Sequence, residues 1–111
     1  VEHKQAWNVQ LSQQAELDFS EILKWTAENF GLQQANEYAE TLWLAIAALN
    51  AGPEIVGSRK RDELGTGIYT FHVARNGRKG RHFVVFRAAE NQTIAVLRLL
   101  HDRMDLALHV P

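Results

Sequence analysis

The residues best suited to chemistry crowd the end of the chain. The apolar run Val96-Leu97-Arg98-Leu99-Leu100 opens abruptly into His101-Asp102-Arg103-Met104-Asp105, and His109 follows. Imidazole, guanidinium and carboxylate groups beside a hydrophobic strand are positioned by a rigid element, as a functional surface needs. The same residues also suit a cap and a solvated tail. Metal-free RNA cleavage would need a base for the ribose 2′-OH, an acid for the leaving oxygen and cations on the phosphate. Glu63 and His101, with Arg59, Lys60, Arg61, Arg87, Arg98 or Arg103, are the right types, but their spacing does not show that they converge.

Other chemistries find less support. The chain has no cysteine, which excludes disulfides and thiolate metal sites and fits a reducing cytoplasm. Ser12, Ser20 and Ser58 lack a triad-like context, so covalent catalysis is not expected. His3, His72, His82, His101 and His109 show no ligand spacing on one element, so neither a metal nor a cofactor is expected. His72 and His82 are placed to face one another across a hairpin. The basic turn Arg75-Asn76-Gly77-Arg78-Lys79-Gly80-Arg81 suits a phosphate or an acidic partner through Arg75, Arg78, Lys79 and Arg81, or is simply a solvated turn. Gly65-Thr66-Gly67 lacks the spacing of a phosphate-binding loop. Arg87 and Arg98 interrupt apolar strands, where a charge demands a partner or an opening to water.

These residues need elements to hold them. Trp7 to Leu11 alternates apolar and polar, the period of a half-buried strand. Ser12 offers an N-cap to a helix whose stripe is Ala15, Phe19, Ile22, Thr26 and Phe30, widened by Leu23 and ended by Gly31. A second helix carries Ala35, Tyr38, Leu42, Ala45, Ile46 and Leu49 and stops at Asn50-Ala51-Gly52-Pro53. The short joint predicts an antiparallel helical hairpin. Residues 54–67 read as a loop. Three strands follow: Ile68 to Ala74 with Tyr69, Phe71 and Val73 on one face, then His82 to Arg87, then Thr93 to Leu100. The middle one is nearly continuous in apolar residues, as in a central strand covered on both faces. The order βααβββ predicts an α+β fold, the N-terminal strand and antiparallel helical hairpin packing on an antiparallel sheet.

At 111 residues the chain has room for one domain, 1–111, with residues 1–6 expected to be flexible. No apolar run approaches the ~20 residues that span a bilayer, and Val1-Glu2-His3-Lys4-Gln5 lacks the apolar core of a secretion signal, so no membrane partner and a cytoplasmic location are expected. The net charge of −1 hides an asymmetry: two lysines stand against eight carboxylates in residues 1–57, and ten Lys or Arg against five carboxylates in residues 58–111. The basic half suits an acidic or phosphate-bearing partner.

In order and spacing, these segments resemble one family. They are Ala15-x-x-Asp18-Phe19-x-x-Ile22-x-x-Trp25-Thr26-x-x-x-Phe30-Gly31, Gln34-Ala35-x-x-Tyr38, Gly67-Ile68-Tyr69, His82 to Arg87, and Leu97-Arg98-Leu99-Leu100-His101-x-Arg103-Met104-Asp105 with His109. The chain resembles the ParE toxins of bacterial type II toxin–antitoxin systems, in the ParE/RelE superfamily, from about residue 7 to 109. The resemblance implies a non-enzymatic toxin that inhibits DNA gyrase, is neutralised by a ParD-like antitoxin, and reaches operator DNA only through that antitoxin. It implies a target-binding surface at Arg98, His101, Arg103, Met104 and Asp105, acting by contact and positioning. The RelE branch, which cleaves mRNA on the ribosome, is the alternative. The chain departs from that branch because Asp102, not a tyrosine, follows His101, and no tyrosine lies after Tyr69.

Overall fold

Ser12 ties the two ends of the fold together. In the computed structural model, which describes residues 6–110, its hydroxyl accepts the Ala15 N–H at 3.0 Å and donates to the Leu97 carbonyl at 2.9 Å. One side chain therefore caps helix α1 (Gln13–Phe30) and fastens it to the last strand. Gly31 ends α1 with φ 92°, a conformation glycine adopts without penalty, and its carbonyl accepts the Ala35 N–H to begin α2 (Leu32–Ala48). With this single-residue joint, α2 folds back along α1. Phe19 and Trp43, equidistant from Gly31, meet edge to face at 6.5 Å, as an antiparallel hairpin requires. The flexible start expected for residues 1–6 lies, Ala6 apart, outside the described residues.

Five strands form one sheet: β1 (Asn8–Leu11), β2 (Ser58–Lys60), β3 (Ile68–His72), β4 (His82–Ala89) and β5 (Thr93–His101), in the order β1-β5-β4-β3-β2. The α+β class and the three-stranded antiparallel meander follow the pattern reading. Two features differ from it. β1 lies parallel to β5, Val9 opposite Ile94, so the sheet is mixed rather than antiparallel. Ser58–Lys60, expected within a loop, pairs with β3, Ser58 opposite Phe71. Three residues with Arg59 and Lys60 among them carry no strand-like alternation, and such short charged strands protect sheet edges.

The sheet buries both faces. Toward the helices, Phe71, Val84, Phe86, Ile94 and Val96 pack against Ala15, Leu42, Ala45, Ile46 and Leu49. On the far side, Ile68, Val85, Leu100 and Leu106 form a second cluster with Leu64, Phe83, Leu97 and Val110. The 3-10 turn Leu106–Leu108 thus folds the end of the chain across the back of the sheet. Central β4 is covered on both sides, as its continuous apolar run predicts. A bulge separates the Val85–Arg98 pair from the Phe86–Val96 pair, so Leu97 is unpaired. Ile94 and Val96 keep the two-residue period, and Leu99 resumes the helix-facing side one residue late. The Leu97 carbonyl at this bulge is the one that takes the Ser12 hydroxyl.

The helix stripes hold with one exception. Ala15 and Thr26 are buried and Phe19 and Ile22 half-buried, but Phe30 is 64% exposed. Its turn runs past the sheet, and its ring packs instead on exposed Trp25, centroids 5.7 Å apart.

Candidate functional site

The overhang of α1 opens a groove of about 1010 Å³ between the helical hairpin, the β3–β4 turn and the end of β5. Ile22, Trp25 and Phe30 supply an apolar wall, Met104 faces in from the end of the chain, and Lys79 and Arg81 stand on the sheet side. The groove is mostly apolar with a basic rim, and Glu21 lies on its helical side.

At one end of the groove Tyr38 ties α2 to the sheet. The Arg81 N–H donates to the Tyr38 hydroxyl at 3.0 Å, so the hydroxyl proton is left for His82 Nδ1 at 2.6 Å. His82 must be neutral to accept it. Burial, and next the neighbouring His101, push its pKa down to about 4. Burial likewise raises the Tyr38 hydroxyl. Gly80 lets the turn lie this close, because a β-carbon there would overlap Val73 and crowd the Tyr38 ring.

The histidines are paired differently from expectation. His72 stands opposite Phe83, whereas His82 stands opposite His101, with ring centroids 5.3 Å apart. The ladder between β3 and β4 is displaced by one residue from the pairing that would make His72 face His82. His72 instead donates through Nε2 to Asp102 Oδ2 at 3.0 Å. Its Nδ1 accepts the Ala74 N–H at 3.0 Å, which fixes the tautomer that presents a donor to Asp102. The hydrogen bond from His72, with Arg81 and His101 nearby, holds the Asp102 carboxyl below its ordinary range.

The C-terminal residues separate by environment. Arg98 is held by Asp18 of α1 through two hydrogen bonds, 2.8 and 3.1 Å, and also donates to the His109 carbonyl at 3.2 Å. Asp18, nearly buried, further accepts the Leu99 N–H at 3.0 Å. Arg98 is thus a pin between α1 and β5. The Asp105 carboxylate accepts the Ala107 N–H at 3.1 Å and caps the 3-10 turn. His101 and Met104 line the groove, and Arg103 is exposed on the turn between them. His101 Nδ1 accepts the Arg103 N–H at 3.1 Å.

The basic turn is similarly divided. Arg78 donates to Thr41, to Glu40 and to the Glu37 carbonyl, fastening the β3–β4 turn to α2. Arg75 lies over the Phe71 ring at 4.9 Å. Lys79 and Arg81 also line the groove; Arg81 meets α2 through its backbone N–H on Tyr38, and its guanidinium lies 3.7 Å from Asp102.

Glu63 and His101 do not converge. The Arg61 N–H bonds the Ile68 carbonyl, and Ile68 pairs with Arg87, which places Glu63 at the far end of β4 from His82 and His101. At about 3.3 Å per strand residue, that separation is on the order of 15 Å. Glu63 is occupied by Arg61 at 2.9 Å, which lowers its pKa. Arg59 and Lys60 lie on β2 at the sheet edge, and Arg87 is exposed. Tyr38 and His82 at one end of the groove, and His72 and Asp102 behind it, were not legible as a group. They come from four elements, and each sits in a pattern that reads as stripe, strand or turn.

Two helices on one face of a five-stranded sheet recur in solved structures of other proteins. The fold is shared with a chain of the chromosomal ParDE toxin–antitoxin system of P. aeruginosa, at a TM-score of 0.67 and 17% identity over 88% of this chain and 98% of that one. It is also shared with a chain of the RelBE2 toxin–antitoxin complex of Mycobacterium tuberculosis, at 0.57 and 21% over 86% and 98%. In sequence, residues 9–106 match the ParE toxin family of type II toxin–antitoxin systems. Toxin ParE1 of Mycobacterium tuberculosis is 34% identical over 96 residues, covering 86% of this chain and 90% of that protein. The chain belongs to the ParE toxin family of type II toxin–antitoxin systems. Among its described residues, no helix is long and apolar enough to cross a membrane, and no group of three or more His, Cys, Asp or Glu side chains is placed to hold a metal ion.

Proposed function

We propose that this chain arrests growth by binding DNA gyrase without chemistry of its own, and that a ParD-like antitoxin neutralises it in the cytoplasm. The observation that carries the reading is the turn at the end of β5. It presents His101, Arg103 and Met104 on a fixed support beside an apolar groove, which suits contact with a macromolecule. Arg98 and Asp105 support that surface from behind, through Asp18 and the 3-10 turn. An antitoxin segment with apolar side chains and carboxylates matches the groove wall and the Lys79 and Arg81 rim, and an acidic segment can order itself on binding. The P. aeruginosa neighbour comes from a chromosomal ParDE toxin–antitoxin system. Operator DNA is then contacted through the antitoxin.

The separation of Glu63 from His101 weighs against the ribonuclease alternative, since that acid–base pair has no common substrate position. The test is supercoiling by purified gyrase with the protein added, run beside a translation reaction with mRNA cleavage mapping. Inhibited supercoiling with intact mRNA is expected. Cleaved mRNA with unaffected gyrase would transfer the chain to the RelE branch.

A further inference from the structure

Behind the exposed turn lies a carboxylate that the surface reading does not use. The Asp102 backbone N–H donates to the Arg81 carbonyl at 2.8 Å, locking the turn to the first residue before β4. Its side chain takes the His72 hydrogen bond on Oδ2, while Oδ1 lies 3.7 Å from Arg81 Nε and 3.6 Å from His101 Nδ1. The next two residues are tied in sequence: Arg103 N–H to His101 Nδ1 at 3.1 Å, and Met104 N–H to the His101 carbonyl at 3.0 Å. Asp102 is 21% exposed at its side chain, and neither it nor His72 is among the described residues lining the groove.

We propose that Asp102, oriented by His72, is the positioning residue of the target-binding turn. It holds the His101–Met104 backbone against β3 and the start of β4, so that His101, Arg103 and Met104 meet a partner as one preformed unit. The proposal rests on the reading of this turn as the toxic surface and adds a pair of residues that touch no target. The Ala74 N–H occupies His72 Nδ1, so the ring presents Nε2–H as the donor to Asp102. The lowered pKa of Asp102 keeps it an acceptor. Preorganisation of this kind removes the cost of ordering the turn when a partner binds.

The test uses the full chain with Asp102→Ala, Asp102→Asn, His72→Ala and the Asp102→Ala/His72→Ala pair. Each is measured for amide hydrogen exchange at Arg103 and Met104 and for inhibition of gyrase supercoiling. Asp102→Ala and His72→Ala should each speed exchange at both amides and raise the half-inhibiting concentration on the order of 10–100-fold. The double variant should be no worse than either single one, because both act through one contact. Asp102→Asn keeps an acceptor for His72 Nε2–H and should restore slow exchange and most of the inhibition.

Unchanged exchange in Asp102→Ala overturns the proposal, as does faster exchange with undiminished inhibition. A defect in Asp102→Ala that His72→Ala does not share would make Asp102 a direct contact and also overturn it. Should Asp102→Ala fail to fold, His72→Ala and Asp102→Asn carry the same comparison. If the unmodified chain leaves gyrase untouched, the functional reading fails, and the exchange measurement alone still decides whether Asp102 orders the turn.

Discussion

Arg98 and Arg103 belong to one short segment, yet their surroundings give them opposite roles. Arg98 neutralises a nearly buried Asp18, whereas Arg103 is exposed. Removing one partner of a buried pair leaves the other uncompensated. Arg98→Ala should therefore lower unfolding stability by roughly 3 kcal/mol in urea denaturation, while Arg103→Ala should stay within about 0.5 kcal/mol. Equal, small effects would show that the Asp18 pair is not a structural pin. His82 carries a pH dependence of known sign. Its folded pKa of about 4 lies below the ordinary 6.5, so the unfolded chain binds the extra proton between those values. Its contribution is present above about pH 6.5 and is lost as pH falls toward 4. Stability measured at pH 7 and pH 4.5 should fall less for His82→Gln than for the unmodified chain. At this scale the sequence marks Arg98 as a charge needing a partner, and the partner is a helix carboxylate as one of its two readings holds. It does not show that His72 and Asp102 meet, because a contact across thirty residues leaves no local pattern.

The elements whose chemistry is local were legible. Ser12, the two apolar stripes, Gly31 and the Asn76-Gly77 turn each carry a mechanism within a few residues, and the helical hairpin and β3–β5 meander follow from them. Leu42, fully buried at the centre of the α2 stripe, tests that reading. Leu42→Ala should cost roughly 2–5 kcal/mol by chemical denaturation, and a cost below about 0.5 kcal/mol would mean that the core face is misplaced. The elements that stayed hidden are those set by tertiary pairing. The β2 strand is three residues long and basic, and exists because β3 offers it an edge. The parallel placement of β1 depends on the helical hairpin returning the chain across the sheet. The Leu97 bulge shifts the β5 register by one residue, so alternation alone misplaces the faces of its second half. Phe30 keeps the helical period but extends past the sheet, which turns a core-like position into a groove wall.

On the scale of the molecule, the acidic first half and basic second half of the sequence meet at the groove. Glu21 of α1 lies on one side and Lys79 and Arg81 on the other, with aromatic and aliphatic side chains between. The turn ending β5 borders the same groove, so an antitoxin segment lying there would cover His101 and Met104 as it binds. Membership of the ParE family rests on residues 9–106, nearly the whole described chain. On the proposed function, this chain poisons gyrase through the turn that ends β5. The most direct measurement is a titration of purified gyrase with the unmodified protein and with Arg103→Ala, scoring loss of supercoiling and accumulation of cleaved DNA. Inhibition by the unmodified chain, with a marked loss in a folded Arg103→Ala, is the predicted result. Undisturbed supercoiling at concentrations that arrest growth, or equal inhibition by the two proteins, would contradict it.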